Sequence, residues 1–130
     1  MSLTDGLEGS ITFFYYNDMA KADHFYSEIM GFETVVDVKF AKVYKISDGA
    51  HVGIVDGIAG SMKPTLDKPV MLTVIVDDAD AWHKYLTEKG VDVQGPPKKP
   101  EYLDMKVFLF KDTEGYILEI LEWIKKPYGI

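Results

Sequence analysis

The feature that most constrains this chain is that it reads as one supersecondary unit written twice. Residues 10–16 are rich in Ile, Thr, Phe and Tyr and predict a strand. Asn17 or Asp18 then caps a helix whose apolar residues Ala22, Phe25, Tyr26 and Ile29 recur at i, i+3, i+4 and i+7, and Gly31 ends it. Three more strands are predicted at 32–38, 41–46 and 51–56, the last entered through the turn Ser47-Asp48-Gly49. After a linker at 57–68 the order recurs. It runs through a strand at 70–76, a cap at Asp77 or Asp78, and a helix at 79–89 with Ala79, Trp82 and Leu86 inward. Gly90 ends that helix, and strands follow at 91–93, 105–110 and 116–123. Asp18 matches Asp78, Phe25 matches Tyr85, and Gly49 matches Gly115.

A single β-α-β-β-β unit cannot bury its sheet alone, so two are expected to act together. The fold class expected is α+β, with two βαβββ modules, about 8–57 and 69–124, in one domain spanning 8–130. They form a curved, cup-shaped mixed sheet with helices on its outer face. The concave face is left for a ligand.

Composition excludes several functions. A net charge of −7 argues against a nucleic-acid partner, because a phosphate backbone needs a basic patch. All 14 basic residues are Lys, so no guanidinium is present to grip a carboxylate or phosphate in two-pronged fashion. With no Cys, disulfides and thiolate metal sites are out, and the composition fits a cytoplasmic protein. No apolar run approaches the ~18 residues of a membrane span, and no signal peptide is expected.

The closing strand carries the chemistry. It follows the turn Lys111-Asp112-Thr113-Glu114-Gly115, and alternation sets Ile117, Glu119 and Leu121 on one face. Glu119 thus sits among apolar neighbours, where a carboxylate is costly unless hydrogen-bonded, paired or bound to metal. The plain alternative is a solvated Glu on an open sheet face.

Three phrases carry a family resemblance. The first is Phe14-Tyr15-Tyr16-Asn17-Asp18-Met19, with Phe25-Tyr26 and Gly31-Phe32. The second is Val74-Ile75-Val76-Asp77-Asp78 with Lys89-Gly90-Val91, and the third runs from Phe110 to Glu119. Together they resemble the vicinal oxygen chelate superfamily, which holds glyoxalase I, bleomycin- and fosfomycin-resistance proteins and extradiol dioxygenases. The resemblance covers roughly 10–123. It implies a metal site with one ligand from each of four strands, which here falls on Ile11, Gly53, Met71 and Glu119. Only Glu119 suits a hard divalent ion: Ile11 has no donor, Gly53 has no side chain, and a Met thioether is too soft. No cofactor or metal is therefore expected.

The candidate ligand-binding residues are Phe13, Tyr15, Tyr44, His51, Thr73 and Glu119. Phe13, Tyr15 and Tyr44 either line the cup or belong to the core, and His51 is either a ligand contact or a hydrogen-bonded structural residue. Phe25, Tyr26 and Trp82 read as core, and His24 and His83 as solvated helix surface.

The first function expected is metal-free binding of a small aromatic or cationic molecule, similar to the bleomycin-resistance branch. Acidity and aromatic content favour it. The alternative is a lyase or isomerase similar to glyoxalase I (lactoylglutathione lyase), or another enzyme of the superfamily, with Glu119 catalytic. A homodimer is expected from the resemblance alone.

Overall fold

The computed structural model describes residues 2–129. It divides into two compact units, one up to Thr65 and the other from Leu66.

The first unit opens with a short 3-10 turn at Leu3–Gly6. Strand β1 (Ser10–Tyr16) leads into helix α1 (Met19–Asp23), and strands β2 (Glu33–Val38), β3 (Ala41–Ser47) and β4 (Ala50–Asp56) follow. The sheet order is β1-β4-β3-β2. β1 runs parallel to β4, and the other pairs are antiparallel. Asp18 is the N-cap of α1, and its carboxylate accepts from the Lys21 N–H at 3.1 Å. The expected single helix widens after Asp23: residues His24–Ile29 form π-type turns, and the Met30 N–H reaches back to the Phe25 carbonyl.

Alternation along the strands decides what this unit buries. Phe14 and Tyr16 of β1 share a sheet face with Val52 and Ile54 of β4 and Tyr44 of β3, and all five are buried. From the helical side, Ala22, Phe25, Tyr26 and Met30 are buried as well. Tyr26 stacks on Tyr44 with ring centroids 5.8 Å apart, and its hydroxyl lies 3.0 Å from that of Tyr16. A buried tyrosine needs a partner for its hydroxyl. Tyr44 finds one by donating to Asp23 Oδ1 at 2.6 Å.

The second unit repeats the plan. Strand β5 (Met71–Ile75) and helix α2 (Ala79–Glu88) precede β6 (Asp92–Val93), β7 (Met105–Lys111) and β8 (Ile117–Trp123), in the sheet order β5-β8-β7-β6. β5 runs parallel to β8, as β1 does to β4. Val74, Phe108, Phe110, Leu118 and Ile120 are buried with Ala79 and Leu86 of α2. The N-cap carboxylate of Asp78 accepts from the Ala81 N–H at 3.0 Å. Glu122 Oε1 takes the Ala79 N–H at 2.8 Å, putting a second carboxylate where a helix start favours negative charge.

Two helix residues depart from expectation. Trp82 is only half-buried, beside Tyr85 on the outer side of α2. Its place against the sheet is taken by His83, which is half-buried rather than solvated. The His83 ring meets Phe108 edge-on at 5.1 Å, and its Nε2 hydrogen-bonds the Gly95 carbonyl at 3.0 Å. An imidazole fits here because its flat body packs on a ring while its polar edge reaches a backbone acceptor. His24 is exposed as expected.

The turn before β8 is built by Asp112, the one buried charged residue among those described. Its Oδ1 accepts from the N–H groups of Glu114 and Tyr116, both at 3.0 Å, and Gly115 supplies the positive φ of 86°. Among the described residues, no helix is long and apolar enough to cross a membrane.

Candidate functional site

Each sheet has one face covered by its helix and one open face, and the site candidates are sorted by that division. On the open face of the second unit, the parallel register sets Met71 beside Ile117, Thr73 beside Glu119 and Ile75 beside Leu121. Leu109 of β7 flanks Glu119 from the other side. Glu119 is half-buried in this apolar setting, and its Oε1 accepts a hydrogen bond of 2.9 Å from the Thr73 hydroxyl. A hydroxyl donating to a carboxylate is among the stronger side-chain hydrogen bonds, and it fixes the carboxylate's orientation. The second carboxylate oxygen remains to face an incoming donor.

Sequence reasoning placed Thr73 and Glu119 in one site, and the register brings them into contact. It missed Trp123. That residue is four positions beyond Glu119, so it shares the open face. Its indole Nε1 is buried with no hydrogen-bond partner. The period-two rule applied one step further along the strand would have found it.

On the open face of the first unit, Ile11 pairs with His51, Phe13 with Gly53 and Tyr15 with Val55. Phe13 is 42% exposed and Ile11 is 47% exposed, so both are open to solvent. Tyr15 is half-buried, with its hydroxyl 3.3 Å from Ser61 Oγ. Tyr44 is the exception among the candidates. It lies on the helix-covered face, fully buried, with its hydroxyl committed to Asp23. It is a core residue and lines no ligand surface. The cause is parity: Tyr44 pairs with Val52, one step out of phase with His51 and Gly53.

The same burial pushes the Tyr44 hydroxyl pKa well up, and the hydrogen bond to Asp23 adds to the effect. Lys42, Lys45 and Lys106 are also shifted up, in each case first through a hydrogen bond to an aspartate, respectively Asp37, Asp48 and Asp80. In each pair the aspartate is exposed.

A four-strand metal site does not fit these donors. Ile11 and Met71 present apolar side chains, and the space above Gly53 is occupied: a Cβ there would stand 2.4 Å from Cδ1 of Phe13. Among the described residues no three His, Cys, Asp or Glu side chains cluster so as to hold a metal ion. Glu119 and Thr73 alone fall short of the three protein ligands of a catalytic zinc site.

The model of the Glyoxalase/Bleomycin resistance protein/Dioxygenase superfamily matches residues 10–120. No curated protein matches the chain. Among solved structures, it is similar to a glyoxalase-related enzyme from Fulvimarina pelagi, with 17% identity and a TM-score of 0.75. That likeness covers 92% of this chain and 91% of the other. It is also similar to lactoylglutathione lyase from Agrobacterium tumefaciens, with 18% identity and a TM-score of 0.72, covering 92% and 95%. A third is the fosfomycin resistance protein FosX from Listeria monocytogenes, with 16% identity and a TM-score of 0.70, covering 87% and 90%. At such identities the likeness concerns the fold.

Proposed function

The chain belongs to the Glyoxalase/Bleomycin resistance protein/Dioxygenase superfamily, and from that premise we propose that it binds a small aromatic or cationic molecule without a metal, using Glu119 as the polar anchor. The observation that carries the reading is the Thr73–Glu119 hydrogen bond on an otherwise apolar sheet face. A carboxylate held by one donor, with Met71, Ile75 and Leu109 exposed around it, suits a ligand with an apolar body and a positively charged or N–H group. The net charge of −7 raises the local concentration of a cation. Neither carboxylate nor hydroxyl would favour an anionic ligand, and no Arg is present to compensate. A homodimer in a reducing compartment is the assembly we take for it.

A second reading has specific support. In an enzyme related to lactoylglutathione lyase, Glu119 would serve as a general base, with Thr73 orienting it. That proton transfer needs only a positioned carboxylate. The donor set described above is too small to hold a Lewis acid against the substrate oxygens, which is why the binding reading is preferred.

The test pairs a binding titration with an isomerase assay. A panel of aromatic cations is titrated into wild type and Glu119→Gln, with the metal content of both measured. The hemithioacetal of methylglyoxal and glutathione is then offered as substrate. Saturable binding that weakens at least tenfold in Glu119→Gln, with no turnover, supports the proposal. Turnover that disappears in the variant favours the enzyme. One divalent metal per chain, lost with Glu119, would overturn the metal-free reading.

A further inference from the structure

We propose that the second unit carries a docking surface for an anionic phospholipid bilayer, built from two copies of one short motif. Lys-Lys-Pro occurs twice, as Lys98-Lys99-Pro100 and Lys125-Lys126-Pro127, and each copy runs on to a tyrosine, Tyr102 and Tyr128. No other two lysines are adjacent in the chain.

Backbone bonds bring the two copies to one end of the second sheet. Lys98 and Val107 exchange N–H···O bonds of 2.8 Å, which pins the first copy to β7. The Leu103 N–H closes a turn onto the Pro100 carbonyl at 3.2 Å. The chain leaving β8 is tied to the same loop, because the Asp104 carbonyl accepts from the Ile124 N–H at 2.9 Å and from the Lys125 N–H at 3.3 Å. The proline after each lysine pair fixes its own φ and restricts the residue before it, which stiffens both copies.

All four lysines are exposed, and among the described residues none of them forms an ion pair. Glu101 and Asp104 are the acids of residues 98–104 and 124–128, so lysines outnumber carboxylates four to two there, in a chain of net charge −7. At physiological ionic strength, charges farther than about 8 Å are largely screened, so a nearby surface meets this local excess and not the net charge. Tyr102 is 92% exposed and Tyr128 106%, with Leu103 at 52% and Ile124 at 51%. The two tyrosines therefore project into solvent and line no recess. A rigid macromolecule would need a matching hollow to receive them, whereas a bilayer interface yields around them. Tyrosine is favoured at headgroup depth, leucine and isoleucine reach the acyl boundary, and lysines rest on the anionic headgroups. Such docking needs no spanning helix and is independent of any ligand on Glu119.

The full chain is sedimented with vesicles of phosphatidylcholine and phosphatidylserine in equal parts, and with vesicles of phosphatidylcholine alone. Saturable binding is expected, about tenfold tighter to the mixed vesicles and weakening as salt is raised. Lys125→Glu with Lys126→Glu should weaken it about tenfold. Tyr102→Ser with Tyr128→Ser keeps every lysine and should weaken it about fivefold. Lys21→Glu with Lys39→Glu makes the same change in net charge at exposed positions of the first unit, and should leave binding unchanged. No binding to the mixed vesicles overturns the proposal. So does an equal loss in the Lys21 and Lys39 variant, which would reduce the effect to net charge. Displacement of the vesicles by polyglutamate, with binding undiminished in the tyrosine variant, would instead make the surface a dock for acidic protein segments and overturn the bilayer.

Discussion

The ring of Phe13 lies against the backbone of Gly53, its neighbour across β1 and β4, so closely that a Cβ on residue 53 would stand 2.4 Å from Cδ1 and 2.5 Å from Cε1. The glycine and the aromatic ring are therefore one packing unit. Restoring a side chain at 53 would require Phe13 to leave.

That relationship predicts non-additive mutations. Gly53→Ala should cost about 1–3 kcal/mol in the wild type, as overpacking does. In a Phe13→Ala background the same change should cost much less, because the space is then free. Urea unfolding of the four proteins measures the coupling, and additive effects would show that the ring is not what excludes a side chain at 53.

The Thr73 hydroxyl holds Glu119 through a hydrogen bond of 2.9 Å. Thr73→Val keeps the shape and removes the donor, and should lower stability by about 1 kcal/mol while weakening whatever ligand Glu119 holds. Thr73→Ser should recover most of both. Loss of stability in Val with no change in ligand affinity would assign the pair to the fold.

Tyr44 predicts an alkaline limit. Its pKa is raised above the ordinary value of 10.0, first by burial and then by the hydrogen bond to Asp23. Above pH 10 the unfolded state loses this proton while the folded state keeps it, so the folded state binds more protons and stability falls as pH rises. The contribution is fully present below pH 10. In Tyr44→Phe the decline above pH 10 should be shallower than in wild type, with Lys42, Lys45 and Lys106, also shifted up, still contributing to it. Chemical denaturation between pH 8 and 11 measures both slopes, and identical slopes would refute the assignment.

Asp112 organises the turn into β8 by accepting two backbone N–H groups. Asp112→Ala leaves those donors without this acceptor and should cost about 1–3 kcal/mol. Asp112→Asn retains an acceptor oxygen and should cost less. A thermal melt orders the three proteins, and equal melting of Ala and Asn would show that the carboxylate charge, not the turn bonding, matters there.

Much of this was readable without coordinates. The duplicated order of strands and helix follows from local signals: β-branched and aromatic runs, Asp18 and Asp78 as caps, and glycines at Gly31, Gly49, Gly90 and Gly115 where the backbone takes a positive φ. These choices depend on neighbours a few residues away, so a linear reading captures them. The facing of Glu119 with Ile117 and Leu121 likewise needs only the two-residue period of a strand.

Tertiary structure alone decided the rest, because pairing register and bulges are set by contacts distant in sequence. Tyr44 and Tyr15 read alike in the sequence, yet pairing with Val52 sends Tyr44 under the helix and pairing with Val55 keeps Tyr15 on the open face. His83 took the inward position assigned to Trp82 because a carbonyl at Gly95 and a ring at Phe108 were waiting for it. The contact of Thr73 with Glu119 spans 46 residues, and the register shift between Thr34 and Val36 in β2 exists only in its pairing with β3. The sequence thus determined which segments become strands and helices. Only the pairing of strands across the chain determined which side chains meet.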